Sequence, residues 1–210
     1  MSQDNIAVPE LGGVEIHGMT REAFLVKSTL AAATVYGAAA VGPFVSSALA
    51  QNATGDIDIL NFALTLEYLE TDFYQVKGKS LGLSGMAKQY AKTFGDEEAQ
   101  HLAAIAATIK KLGGKPVAKP TFVFPVTDEK SFLKLASTVE NLGVSAYNGA
   151  APLIKEVAVL AAAGSIVQVE ARHAAAINLL IGQSPTPDEG FDKAKTKDEV
   201  LKAAGPLIKA

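Results

Sequence analysis

The chain has 210 residues, 49% of them hydrophobic and 20% charged, which is enough apolar material for one well-filled core with extensions. Its formal net charge is −3 and arginine occurs only at Arg21 and Arg172, so there is no basic surface to neutralise phosphates, and nucleic acid is excluded as a partner. Without cysteine there is no disulfide framework, thiolate metal cluster or cysteine nucleophile, and any metal must be held by nitrogen and oxygen.

Residues 1 to 50 read as an N-terminal extension carrying a targeting segment. Residues 1 to 18 are polar, with Gly and Pro, whereas residues 25 to 50 carry no charge except Lys27. Arg21 precedes the apolar run, and Ala48, Leu49 and Ala50 before Gln51 give the small-x-small pattern of a signal-peptidase site. The start of the run resembles a twin-arginine export signal, with Glu22 in the place of the second arginine. Export with cleavage before Gln51, and no stable membrane insertion afterwards, is the leading expectation. A retained anchor and a cytoplasmic helix are the alternatives, the first weakened by the Ala, Gly and Ser content and by Pro43.

Residues 51 to 185 read as an all-α four-helix bundle. Apolar residues recur at helical spacing from Asp56 onward, and breakers fall where helices must turn. The pattern predicts helices over residues 56 to 79, 85 to 112, 128 to about 150 and 156 to 181, the third with an N-cap at Thr127 or Asp128. Between the second and third, Pro116, Pro120 and Pro125 mark a long crossover suited to travelling the height of a bundle. Residues 186 to 210, with Phe191, Val200, Leu201, Leu207 and Ile208 at irregular spacing, form a tail expected to dock on the bundle.

An internal repeat organises the four helices. Glu98-Ala99-Gln100-His101-Leu102-Ala103-Ala104-Ile105 aligns with Glu170-Ala171-Arg172-His173-Ala174-Ala175-Ala176-Ile177, identical at six of eight positions. Glu67 is followed seven residues later by Tyr74, and Glu140 by Tyr147; Glu67 to Glu98 spans 31 residues and Glu140 to Glu170 spans 30. Two helical hairpins of equal reach follow, each carrying the chain roughly 20 Å away from the glutamate level and back at 1.5 Å per residue.

Each inward seam carries an acid at its middle. The seams read Leu60, Leu64, Glu67, Thr71, Tyr74; then Ala91, Phe94, Glu98, His101, Ile105, Leu112; then Leu133, Ala136, Glu140, Gly143, Tyr147; then Ala163, Ile166, Glu170, His173, Ile177, Leu180. Four unpaired carboxylates in an apolar layer would cost several kcal/mol each. No Lys or Arg lies on the seams, so bound cations or protons must compensate. Two divalent ions balance four glutamates and leave two neutral imidazoles as further ligands. The Glu-x-x-His spacing puts both side chains on one helical face. Carboxylate and imidazole donors suit iron or manganese, and zinc fits the same donors. Without metal, the glutamates are expected to take up protons, so that stability rises from neutral toward mild acid until histidine protonation and the loss of favourable surface pairs reverse the trend.

The set Glu67, Glu98-x-x-His101, Glu140 and Glu170-x-x-His173 resembles the ferritin-like di-iron carboxylate proteins, and more closely the exported ferritin-like domain family that includes desiccation-related proteins. The resemblance covers about residues 55 to 182. It implies two iron or manganese ions that react with dioxygen or peroxide, in a monomer or homodimer, and leaves the substrate open. A non-enzymatic metal-binding or structural stress-protective bundle is the alternative function. Tyr74 and Tyr147 stand two turns from the glutamates, as hydrogen-bond partners of the ligands, redox-active residues or ordinary core aromatics. Glu70, Glu97 and Asp96 are expected to turn toward solvent, with Glu70 or Glu97 replacing its neighbouring glutamate as a ligand if the register of the seam is shifted, and His17 lies outside the repeat.

Overall fold

Helix formation begins at Gly55, the first residue described in the computed structural model, which describes residues 55 to 209. The predicted targeting segment and His17 lie outside the described residues. Four long helices follow: α1 (Asp56–Asp72), α2 (Gly85–Lys111), α3 (Glu129–Ala150) and α4 (Val157–Leu180). A short α5 (Lys197–Ala204) lies in the tail. Two-residue strands β1 (Thr121–Phe122) and β2 (Ile208–Lys209) pair antiparallel, joining the crossover to the C-terminal end.

α1 pairs along α2, and α3 along α4, giving two hairpins whose inner faces meet. α1 does not stop at Asp72: it runs on through a π-helical turn, Phe73–Gly78, that carries Tyr74 into the core. The start of α3 is fixed by a capping box in which Ser131 N–H donates to Asp128 Oδ1 at 2.7 Å and Asp128 N–H donates to Ser131 Oγ at 3.1 Å. Asp56 ties the hairpins at one end, its two carboxylate oxygens accepting from the backbone N–H groups of Lys155 (2.9 Å) and Glu156 (2.7 Å).

Two apolar clusters enclose the middle of the bundle. On one side Phe73 stacks on Phe132 at 4.5 Å between ring centroids, with Phe94, Ala91, Ala136 and Ile177 around them. On the other side pack Leu60, Leu64, Ile105, Ile109 and Val159. Leu112 and Leu180, assigned to the seams from spacing, are 36% and 38% exposed, Leu112 as the C-cap of α2 and Leu180 as the last residue of α4.

The tail lies over α1 and α3, where Val200, Ala204 and Leu207 are buried against Phe62, Leu66 and Leu142. Complete burial of Val200 contributes about 1.5–3 kcal/mol. Close approach is permitted by Gly149, where a Cβ would stand 1.9 Å from the Lys195 carbonyl oxygen. Phe191, by contrast, is 70% exposed and takes no part in the docking.

Candidate metal centre

Glu67, Glu98, Glu140 and Glu170 all have 0% exposure, and they occupy one layer between the two apolar clusters. Helical spacing brings them there: each glutamate follows a core residue by three or four positions on its seam. His101 and His173 rise from α2 and α4 into the same layer. His101 Nδ1 lies 3.0 Å from Glu98 Oε2, 3.0 Å from Glu170 Oε1 and 3.5 Å from Glu67 Oε2. His173 Nδ1 lies 2.8 Å from Glu98 Oε1 and 3.6 Å from Glu140 Oε2.

The donor atoms fall into two overlapping groups. Glu67, Glu98, His101 and Glu170 form one, and Glu98, Glu140, Glu170 and His173 the other, with one ligand atom from each residue lying within 4.8 Å of the rest of its group. Glu98 and Glu170 belong to both. Within this layer Glu67 Oε2, Glu98 Oε1, Glu140 Oε2, both Glu170 oxygens and His173 Nδ1 are buried without an aligned hydrogen-bond partner. Buried polar atoms left in that condition are costly. Their convergence on shared points is what a set of ligand atoms requires, and the carboxylate and imidazole donors fit metal binding.

The two tyrosines hold the unshared glutamates across the bundle. Tyr74 on the π turn donates its hydroxyl hydrogen to Glu140 Oε1, and Tyr147 on α3 donates to Glu67 Oε1. In each glutamate this occupies one oxygen and leaves the other, Oε2, facing the histidines. Burial and the neighbouring carboxylates push both phenols well above their ordinary value, so they remain protonated donors.

The surroundings of the layer depart from the sequence reading at two acids. Glu70 does not face solvent: it is 2% exposed and lies beside the glutamate layer, in space that Gly143 leaves open. Glu97 keeps a partly exposed side chain but turns toward α4, where its Oε2 is 2.6 Å from His173 Nε2. That contact orients the ring and leaves Nδ1 aimed at the layer, an arrangement common behind metal-bound imidazoles. Phe94 stacks on the same ring at 3.9 Å between centroids. His101 has no equivalent of Glu97, because the corresponding position in the repeat is Val169. Asp96 is exposed and pairs with Lys92 at 2.8 Å.

Electrostatics in the metal-free state follow from this crowding. Burial pushes the Glu67 carboxyl up to about 7, while Glu70 and Glu170 are driven well above the usual range by burial and mutual repulsion. Burial also raises Glu140. For Glu98, burial is overcome by the two imidazoles, which hold it at about 2. Burial disfavours charge on the histidines, yet the carboxylates around them prevail and raise His101 to about 12 and His173 to about 11. Both imidazoles therefore carry a proton at neutral pH without metal. Histidine protonation accordingly favours the metal-free fold instead of reversing its acid stabilisation. The opposing contribution is that of Glu98, whose depressed pKa gives stability that is lost as the pH falls from the unfolded carboxylate value through the folded one.

Solved structures show the same fold at low identity. A conserved hypothetical protein of Mycobacterium tuberculosis superimposes with a TM-score of 0.55 at 15% identity, covering 66% of this chain and 93% of that one. A hypothetical protein of Methanococcus jannaschii gives 0.50 at 15% identity, covering 74% and 95%. Among curated proteins, none matches the sequence. Residues 55 to 183, the whole bundle with its carboxylate layer, match the ferritin-like domain family, and the chain belongs to that family.

Proposed function

We propose that the bundle core binds two iron or manganese ions through Glu67, Glu98, His101, Glu140, Glu170 and His173, and that the pair reacts with dioxygen or peroxide. The observation that carries this reading is the sharing of Glu98 and Glu170 between two four-residue donor groups. Shared carboxylates suit a dinuclear centre, and the remaining glutamate and histidine of each group suit one ion apiece. Iron or manganese, when bound, supplies the electrons for reducing an oxygen species.

The chain's own residues set the conditions for that chemistry. Tyr147 and Tyr74 fix the orientation of Glu67 and Glu140 and hold protons next to the layer. Apolar clusters above and below exclude bulk water. His101, whose side chain is 11% exposed, is the ligand closest to solvent and marks the side from which a small oxidant approaches. Tyr74 also lines a cleft of about 520 Å³ with Gln75, Leu83 and Ala91, which places a redox-capable phenol between that cleft and Glu140.

Aerobic oxidation of ferrous iron by the purified protein, followed by absorbance, tests this function. Oxidation faster than in buffer, abolished in Glu140→Ala, is expected. Two bound ions without oxidation would favour the second reading, a metal-binding or structural stress-protective bundle, to which the complete burial of the four glutamates lends support. A place among the exported, desiccation-related members of the family, and a monomer or homodimer, complete the proposal. No helix among the described residues is long and apolar enough to cross a membrane.

A further inference from the structure

The repeat that relates the two hairpins does not supply the same acids to both. Glu67 aligns with Glu140, Leu69 with Leu142 and Tyr74 with Tyr147, but Glu70 aligns with Gly143. The two residues that differ meet in the structure. The point where a Gly143 Cβ would stand lies 3.0 Å from Glu70 Oε1 and 3.4 Å from Glu170 Oε2. A side chain at 143 would crowd the Glu70 carboxylate and push it aside by at least a few tenths of an ångström. The glycine of one hairpin thus makes room for the extra acid of the other.

Glu70 is 2% exposed, and five carboxylates share the interior where the repeat alone would place four. Glu170, its close neighbour, has both oxygens buried without a hydrogen-bond partner. Neither acid neutralises the other, and no Lys or Arg side chain forms an ion pair with either among the described residues. Glu70 also borders a small void lined by Leu69, Leu142, Gly143 and Leu207. A buried acid kept beside a donor layer, in room made by a glycine, is an arrangement that packing does not call for and that a cation would use.

We propose that Glu70 is a seventh ligand side chain of the centre, a fifth carboxylate that binds metal beside Glu170 and that only the first hairpin supplies. The proposal rests on the dinuclear reading above. It makes the centre asymmetric, with a donor set richer in oxygen than the repeat would provide.

Cobalt(II) is the probe, since its visible absorption reports coordination number. Metal-free wild type, Glu70→Gln and Gly143→Ala are titrated with Co²⁺ near neutral pH, with affinity read by chelator competition. Glu70→Gln should bind Co²⁺ roughly tenfold or more weakly, and its absorption should intensify as a carboxylate ligand is lost. Gly143→Ala keeps every carboxylate but crowds Glu70, and should shift the spectrum in the same direction. An unchanged Co²⁺ spectrum in Glu70→Gln overturns the proposal even if affinity falls, because loss of a nearby charge alone weakens binding without altering the ligands. Wild type that fails to take up two Co²⁺ per chain would instead overturn the dinuclear reading itself.

Discussion

Removing the metal should invert the dependence of stability on pH, and the size of the effect follows from the carboxylate layer. In the metal-free fold the Glu67 carboxyl stands at about 7 against an ordinary 4.5. A group whose folded pKa is raised binds more protons when folded, so its stabilisation is lost as the pH climbs from the unfolded value through the folded one. At about 1.4 kcal/mol per pH unit, Glu67 alone removes about 3 kcal/mol between roughly pH 5 and 8. His101 and His173 stay protonated in the fold to about 12 and 11. Their unfolded forms lose the proton near 6.5, so each removes about 2 kcal/mol more by pH 8. Glu98, held at about 2, acts in the opposite sense only below the unfolded carboxylate value, outside this window. Because these groups share the same carboxylate–imidazole contacts, their effects do not add in full; the metal-free protein should therefore lose on the order of 3 kcal/mol or more from about pH 5 to 8, a fall in Tm on the order of 10 °C for a domain of this size. The Mn²⁺-loaded protein should gain stability over the same range, because protons compete with the ions for the same oxygens and nitrogens. Thermal melts followed by circular dichroism, with and without Mn²⁺, measure both slopes. Parallel profiles would refute the reasoning, since they would mean that the buried acids and imidazoles are not the groups that metal occupies.

Glu98→Ala and His173→Ala should each lower bound metal sharply in elemental analysis while the helical circular dichroism persists; unchanged stoichiometry in both would remove them from the centre. Tyr147→Phe leaves Glu67 Oε1 without its donor, and chemical denaturation should show a loss of about 1–3 kcal/mol. Glu97→Gln should weaken metal binding roughly 10–100-fold through His173, with little change in the metal-free fold because Glu97 is partly exposed. If residues 1 to 50 are a cleaved export signal, mass spectrometry of the exported protein should find an N-terminus at or beside Gln51.

The layer of four glutamates was legible because each acid interrupts an apolar stripe of helical period, and the repeat supplies the register twice. The N-cap, expected at Thr127 or Asp128 and found at Asp128, and the proline-rich crossover were legible for similarly local reasons. Glu70 was not, although it stands three residues after Glu67. What decides its burial is the absent side chain of Gly143 on another helix, and spacing along α1 carries no information about that. Glu97 escaped for a related reason: its direction is set by His173 across the bundle, so a residue beside a ligand reads as solvated until the helices are packed. The π turn at Phe73–Gly78 has no breaker before Gly78 to announce it, yet it carries the Tyr74 that reaches Glu140. The β1 and β2 pairing is two residues long, too short to leave an alternating pattern.

The central claim is that the layer holds two cations that share Glu98 and Glu170. Anomalous diffraction from crystals of the Mn²⁺-loaded protein tests it most directly. Two peaks about 3.5–4 Å apart are predicted, one beside Glu67 and His101 and the other beside Glu140 and His173. A single peak, or none within the layer, would contradict it.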